Sequence, residues 1–153
     1  LTYCNGVHVV EVEVDPETGQ IEILNYIIVH DSGKLINPMI VEGQITGGAT
    51  HGLGSALFER MIYDDQGQPQ TTNFGEYLLP TAPEVPSYDI IHMESPTPLN
   101  PLGVKGAGEG GTIPVTSAIA SAIDDALSDF GVVIRELPIE PKRIVEMIRE
   151  AAR

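Results

Sequence analysis

The stretch Gly103-Val104-Lys105-Gly106-Ala107-Gly108-Glu109-Gly110-Gly111 constrains this chain more than any other. Five of its nine positions are glycine, with one acid, Glu109, among them. Glycine adopts positive φ freely and carries no side chain, so such a run lets backbone N–H groups come close to a ligand. Thr112 and Pro114 then open a helical pattern that runs from Ser117 to Ser128. The loop is therefore expected to lead into a helix N-terminus, where free N–H groups and the macrodipole favour an anion. No Gly-Lys-Ser/Thr follows the glycines, so this is not a Walker loop, and no strand precedes them as a dinucleotide-binding fingerprint requires. On composition alone the loop reads first as a plain glycine-rich turn, with Glu109 one of 22 solvated acids.

Charge narrows the partners. A net charge of −14 argues against nucleic acid and against anionic membrane surfaces, both of which need a basic face. No apolar run approaches the roughly 18 residues of a spanning helix. Hydrophobic residues make up 42% of the 153 positions, enough for one domain, residues 1–153, with its own core. A single cysteine, Cys4, excludes an internal disulfide and a cysteine-based zinc site. That usage fits the reducing cytoplasm. The sequence opens on Leu1 and enters a strand pattern almost at once, which reads as a piece of something longer.

Taken in order, Val10, Val12 and Val14 alternate with Glu11, Glu13 and Asp15, the period of a strand with one wet face. The Asp15–Gly19 turn returns the chain through Ile21-Glu22-Ile23 and Tyr26–Val29, which predicts a β-hairpin. His8 and His30 on these strands read as ordinary hydrogen-bonded histidines, since no partner stands at metal-ligand spacing. Asn37-Pro38 predicts a helix start, continuing to about Glu59. Gly43, Gly47, Gly48, Gly52 and Gly54 fall inside that helix, each costing about 1 kcal/mol against alanine. Gly43, Gly47, Gly48 and Gly52 strip one face of side chains: either a neighbouring helix packs closely there, or a bulky ligand or second backbone lies along that face with the Gln44 amide beside it.

Met61-Ile62-Tyr63 is expected as a short strand before an Asp64–Pro69 turn. Prolines 80, 83, 86, 96 and 98 forbid a long helix between Gln70 and Leu99, leaving Asp89–Glu94 as the clear strand there. Such a long irregular approach to the glycine loop reads as site-building. After the loop come an amphipathic helix capped by Gly131, a short Val132-Val133-Ile134 strand, and a last amphipathic helix from Pro141. The expected class is α+β: a mixed sheet, a glycine-rich helix and two C-terminal amphipathic helices.

Three blocks together are more specific than any one. Asn37–Gln44, Phe74–Thr81 and Gly103–Glu109, in this order and spacing, resemble the C-terminal part of the large subunit of molybdenum hydroxylases. That family includes xanthine dehydrogenase, aldehyde oxidoreductase and aerobic carbon monoxide dehydrogenase, and the likeness is strongest to the carbon-monoxide-dehydrogenase-type branch. It covers nearly the whole chain. The resemblance implies part of a larger molybdopterin-binding domain. It implies a molybdenum-dependent oxidoreductase that hydroxylates an aldehyde, an N-heterocycle or CO with water-derived oxygen. Glu109 matches the family's catalytic base beside molybdenum, and Gln44 matches a glutamine that contacts the pterin. The backbone around Lys105, Gly106, Ala107 and Gly108 matches the segment near the metal's ligand sphere. The implied cofactor is the molybdenum–pterin group in its cytosine dinucleotide form. The implied partners are the remainder of the large subunit, iron–sulfur and FAD-bearing subunits, and a small-molecule substrate.

The large subunit of this family is several times longer than 153 residues, so further cofactor and substrate contacts belong elsewhere. Cys4 does not match the position of the copper-ligating cysteine of carbon monoxide dehydrogenases, and the isolated chain is expected not to turn over substrate. A non-catalytic interaction module and a nucleotide-binding domain without chemistry stand as the alternatives.

Overall fold

The computed structural model describes residues 2–153. Strand β1, Asn5–Val14, pairs antiparallel with β2, Ile21–Asp31, as the alternation requires. The turn between them is closed by Asp15, whose carboxylate accepts from Glu17 N at 2.8 Å and Thr18 Oγ1 at 2.8 Å. Gly19 has no substitute there: its φ is +75°, and a Cβ would lie 2.0 Å from the Pro141 carbonyl oxygen. One bulge interrupts the ladder: Glu11 faces Asn25 and Val12 faces Ile23, leaving Leu24 without a partner. A short third strand, β3, Asp89–His92, adds parallel to β2, giving a mixed sheet of order β1-β2-β3.

Two helices cover one face of the sheet. Helix α1, Pro38–Leu57, starts at Asn37, whose side chain accepts from Ile40 N at 3.3 Å. Helix α2 spans Val115–Ala126 and packs on β1 and on α1. Ile45, Ala49 and Leu53 from α1 meet Ile119 and Ile123 from α2, all fully buried and seated over Tyr26 and Ile28. Each buried aliphatic side chain of this size contributes about 1.5–3 kcal/mol. Close approach of the helices depends on Gly52, since a Cβ there would lie 2.5 Å from Val115 Cβ. The chain after α2 tightens into a 3₁₀ turn, Ser128–Phe130, closed by Gly131 in the left-handed region. Helix α3, Pro141–Ala151, adds Ile144 to the core.

The α+β class and the hairpin, glycine-rich helix and final helix stand as expected. Two short strands do not. Met61–Tyr63 forms only a single bridge, Tyr63 to Pro69, because proline has no N–H with which to extend a ladder. Among the described residues Val132–Ile134 finds no neighbouring strand; Val132 buries its side chain while Ile134 N donates to Asp124 Oδ1 at 2.6 Å. Helix α2 also begins two residues before Ser117 and ends at Ala126, with the 3₁₀ turn taking its final residues.

Candidate functional site

The glycine loop is tied down at its start and seated at its end. Val104 bridges Gly33, with Lys34 N donating to Gly103 O at 3.1 Å and Lys105 N to Ser32 O at 2.8 Å. Beside this bridge the Lys105 ammonium lies 2.9 Å from Asp31 Oδ2 and 2.6 Å from Ser95 Oγ, largely out of solvent. Asp31 also accepts from Gly33 N at 2.8 Å and Ser95 N at 3.2 Å, and from the Ser95 hydroxyl. Burial opposes its charge, yet these donors together hold its carboxyl well below the usual carboxylate range. Gly106 N donates to Thr2 O at 3.0 Å. Lys105 and Gly106 thus spend their donors on the fold and do not line the cleft described next.

At the far end, Gly110 and Gly111 are buried. A Cβ on Gly110 would lie 2.3 Å from His30 Cε1 and 2.8 Å from Cys4 Sγ; one on Gly111 would lie 2.5 Å from Ile45 O. Space, rather than an unusual φ, demands glycine at these positions. Within the loop only Gly103 has positive φ, +69°.

Between these anchors the loop stands over α1 and encloses a cleft of about 380 Å³. Gln44, Gly47, Gly48 and His51 line it from α1; Gly108, Glu109, Thr112 and Ile113 line it from the loop. Thr112 Oγ1 donates to Gly48 O at 3.0 Å and fixes the two walls together. The two accounts of the glycine helix divide by residue. Gly48 and Gly52 are packing glycines, for a Cβ on Gly48 would meet Thr112 Oγ1 at 2.8 Å and Thr112 N at 3.1 Å. Gly43 and Gly47 have nothing within 4 Å of a Cβ, and Gly47 leaves its wall of the cleft bare.

Several of the cleft's polar groups are free. Among the described residues, no backbone N–H from Ala107 to Gly111 donates within the chain. Neither the Gln44 amide nor the exposed Glu109 carboxylate has a hydrogen-bond partner there either. The Glu109 carbonyl accepts from Thr112 N at 3.0 Å and Ile113 N at 3.3 Å, which turns the chain into α2 and directs that helix's N-terminus toward the loop. Among the described residues no three His, Cys, Asp or Glu side chains converge on a metal position, so a metal in this cleft has to arrive with its own ligands. A planar, anionic group carrying a metal fits these walls: a bare glycine face, the unpartnered N–H donors of Gly108 and Glu109, and one carboxylate.

Sequence reasoning brings together Gln44, Gly47, Gly48, Lys105, Gly106, Ala107, Gly108 and Glu109; the structure places Gln44, Gly47, Gly48, Gly108 and Glu109 on one cleft, while Lys105, Gly106 and Ala107 do not line it. It had missed His51, although positions 44, 47 and 51 follow the repeat of one helix face. It also took His30 for a hydrogen-bonded histidine. His30 is 1% exposed, and neither ring nitrogen has a partner. The Phe74–Thr81 block lies outside the cleft. Its Tyr77 hydroxyl donates to Glu59 at 2.6 Å, and Glu76 accepts from Asn73 Nδ2 at 2.9 Å. A larger hollow of about 600 Å³ between residues 131–140 and α3 holds none of these residues, and Arg60 and Arg143 there are paired with Glu140 and Glu150.

Comparison with known proteins identifies the family of the chain. Residues 1–86 match the molybdopterin cofactor-binding domain family. The chain is 45% identical over 143 residues to the nicotine 6-hydroxylase large subunit of Paenarthrobacter nicotinovorans, covering 94% of this chain and 18% of that protein. It is 34% identical over 149 residues to the carbon monoxide dehydrogenase large chain of Hydrogenophaga pseudoflava, covering 97% of this chain and 19% of that one. The crystal structure of quinoline 2-oxidoreductase from Pseudomonas putida 86 superposes with a TM-score of 0.93 at 46% identity, over 96% of this chain and 19% of that chain. The chain belongs to the molybdopterin cofactor-binding domain family found in molybdenum hydroxylase large subunits. It spans less than a fifth of the length of these relatives.

Proposed function

We propose that the cleft between α1 and the glycine loop is one wall of a hydroxylase active site, with Glu109 its base. The observation that carries this reading is the coincidence, on one cleft, of the unpartnered N–H groups of Gly108 and Glu109, the open Gly47 face and the Glu109 carboxylate. The bound molybdenum–pterin cofactor would supply the redox chemistry, accepting electrons from the substrate as water-derived oxygen is incorporated.

The chain's own residues have separate tasks. The Gln44 amide, with a donor and an acceptor, hydrogen-bonds the pterin edge along the Gly47–Gly48 face. The N–H groups of Gly108 and Glu109 hold anionic oxygens, aided by the adjoining helix N-terminus, and suit the phosphates of a cytosine dinucleotide form. Lys105 and Gly106 act from behind, anchoring the loop to β2. Glu109 takes a proton at its carboxylate, a role that requires a free, ionised group within reach of the reacting atoms. The substrate class is an aldehyde, an N-heterocycle or CO. Residues 1–153 form a single domain portion of a longer cytoplasmic subunit working with iron–sulfur and flavin subunits. By itself the chain folds but holds no molybdenum, because it supplies only one wall.

Metal and pterin analysis of the intact enzyme tests this. Stoichiometric molybdenum with a released pterin nucleotide is expected. An enzyme with full activity and no molybdenum, or a 153-residue chain that binds the metal alone, overturns it.

A further inference from the structure

Helices α1 and α2 cover one face of the sheet, and among the described residues no layer covers the other. The strand register gives that outer face row by row. Its first row, Val7, Val29 and Ile91, is apolar across all three strands. The second is Val9, Ile27 and Asp89, the third Glu11 with Asn25, and the fourth Glu13 directly opposite Glu22. Val7 is 60% exposed, Val9 54% and Ile91 52%, with Ile27 and Val29 half-buried between them. The sequence pattern does not match so open a surface. The run Tyr26-Ile27-Ile28-Val29 in β2 is apolar on both faces, as in a strand buried on both sides. Val10 to Val14 in β1 instead alternates with Glu11 and Glu13, as a strand with one wet face does. The outer face is therefore patterned for cover at its valine and isoleucine end and for water at its acidic end, and an open apolar patch rimmed by polar residues marks an interaction surface.

The acidic end carries a second mark. Like charges directly opposite one another across a strand pair repel, which is the arrangement of Glu13 and Glu22. Among the described residues no lysine or arginine pairs with either of them or with Asp89. A cation set beside them from outside would turn that repulsion into attraction. We propose that the outer face of the sheet is an interface within the large subunit. A segment of its remainder lays an apolar surface over Val7, Val9, Ile27, Val29 and Ile91 and sets lysine or arginine at the border of Glu13, Glu22 and Asp89. This rests on the reading of the chain as a portion of a longer subunit, which the mass of the intact polypeptide decides separately.

Length and charge select this occupant over the others. The chain covers 18% and 19% of two of its relatives, so most of such a polypeptide lies outside it, and a segment of the same polypeptide meets the face at high effective concentration. A second copy is a poor fit. A two-fold contact would bring together two chains of net charge −14 through one self-complementary face, and none of the three strands carries a lysine or arginine to offset its acids. The same acids repel an anionic membrane surface. The cofactor cleft is walled by α1, which packs on the opposite face, so this contact and the cleft are separate surfaces.

The test places Val9→Cys, Ile91→Cys and, as a reference in the exposed turn, Glu17→Cys in the intact enzyme and in its separated large subunit. Labelling by iodoacetamide is followed site by site with mass spectrometry. Val9→Cys and Ile91→Cys should label at least about tenfold more slowly than Glu17→Cys in both samples, as a covered surface does. Labelling of both at the reference rate overturns the interface. So does protection that is lost, at unchanged circular dichroism, when the other subunits are removed or the large subunit is diluted to a monomer, since the face then belongs to another subunit or to a second copy. Glu13→Gln reads the charge: with a cation beside Glu13 and Glu22 it lowers the urea midpoint of the large subunit, and with none it relieves repulsion and raises it. A raised or unchanged midpoint overturns the cationic border.

Discussion

Gly47 and Gly48 are neighbours in one helix with opposite surroundings, and replacing each by alanine separates ligand space from packing space. Both substitutions gain the same helix propensity, about 1 kcal/mol. For Gly47→Ala nothing opposes that gain, since no atom lies within 4 Å of the new Cβ. For Gly48→Ala the methyl meets Thr112 N at 3.1 Å and the Gly111 carbonyl carbon at 3.2 Å, backbone atoms that cannot rotate away. It also meets Thr112 Oγ1 at 2.8 Å, which can turn aside only by giving up its bond to Gly48 O. Overpacking of this kind costs about 1–3 kcal/mol. The propensity term cancels between the two variants, so their stabilities should differ by that contact term alone. For a chain of this size that corresponds to roughly 2–12 °C in melting temperature, read by circular dichroism. In the intact enzyme the order reverses for the cofactor: Gly47→Ala puts a methyl into the cleft and should lower molybdenum occupancy despite its added stability. Equal melting temperatures, or full occupancy in Gly47→Ala, would refute the division of the helix into an open and a packed glycine.

Removing the Lys105 ammonium by Lys105→Met strands the buried Asp31 charge, at a cost of about 3 kcal/mol or somewhat less because Ser95 and Gly33 still donate to it. The double variant Asp31→Asn/Lys105→Met should recover much of that loss in urea unfolding; strict additivity would show that the pair is not coupled. Stability should also fall with acid. His8 and His30 stay neutral in the fold below the unfolded-state value of 6.5, His8 down to about 4, so the unfolded chain binds more protons across that window and unfolding becomes easier as pH drops through it. Asp31, with its lowered pKa, adds a further loss below 3.8. A urea midpoint that stays flat between about pH 7 and pH 4.5 would contradict the histidine part.

Elements whose causes are local were legible in the sequence. The hairpin follows from the Val10–Val14 alternation and the Asp15 turn, and α1 from Asn37-Pro38; both needed only near neighbours. Val132–Ile134 has an equally good apolar run, yet a strand needs a partner edge, and none among the described residues lies beside it. The loop glycines looked alike on paper because sequence records flexibility and not what lies above a missing Cβ. Gly110 is glycine on account of His30 and Cys4, each more than 75 positions away in the chain. Lys105 could be placed in the loop, but its engagement with Asp31 depends on the Gly33–Val104 bridge that only the fold makes. His30 carried no signal of its unpartnered nitrogens, since partner counting needs three strands in register.

The central claim is that the Glu109 carboxylate is the base of this cleft. Glu109→Gln in the intact enzyme preserves shape and leaves the loop's backbone bonds from Thr112 and Ile113 in place. Stopped-flow reduction by substrate, at equal molybdenum content, should slow by about 10²–10⁴-fold, the usual effect of losing a general base. Reoxidation should be unchanged, and Glu76→Gln, altered in a turn outside the cleft, should be reduced at close to the parent's rate. Reduction of Glu109→Gln at the parent's rate would contradict the account.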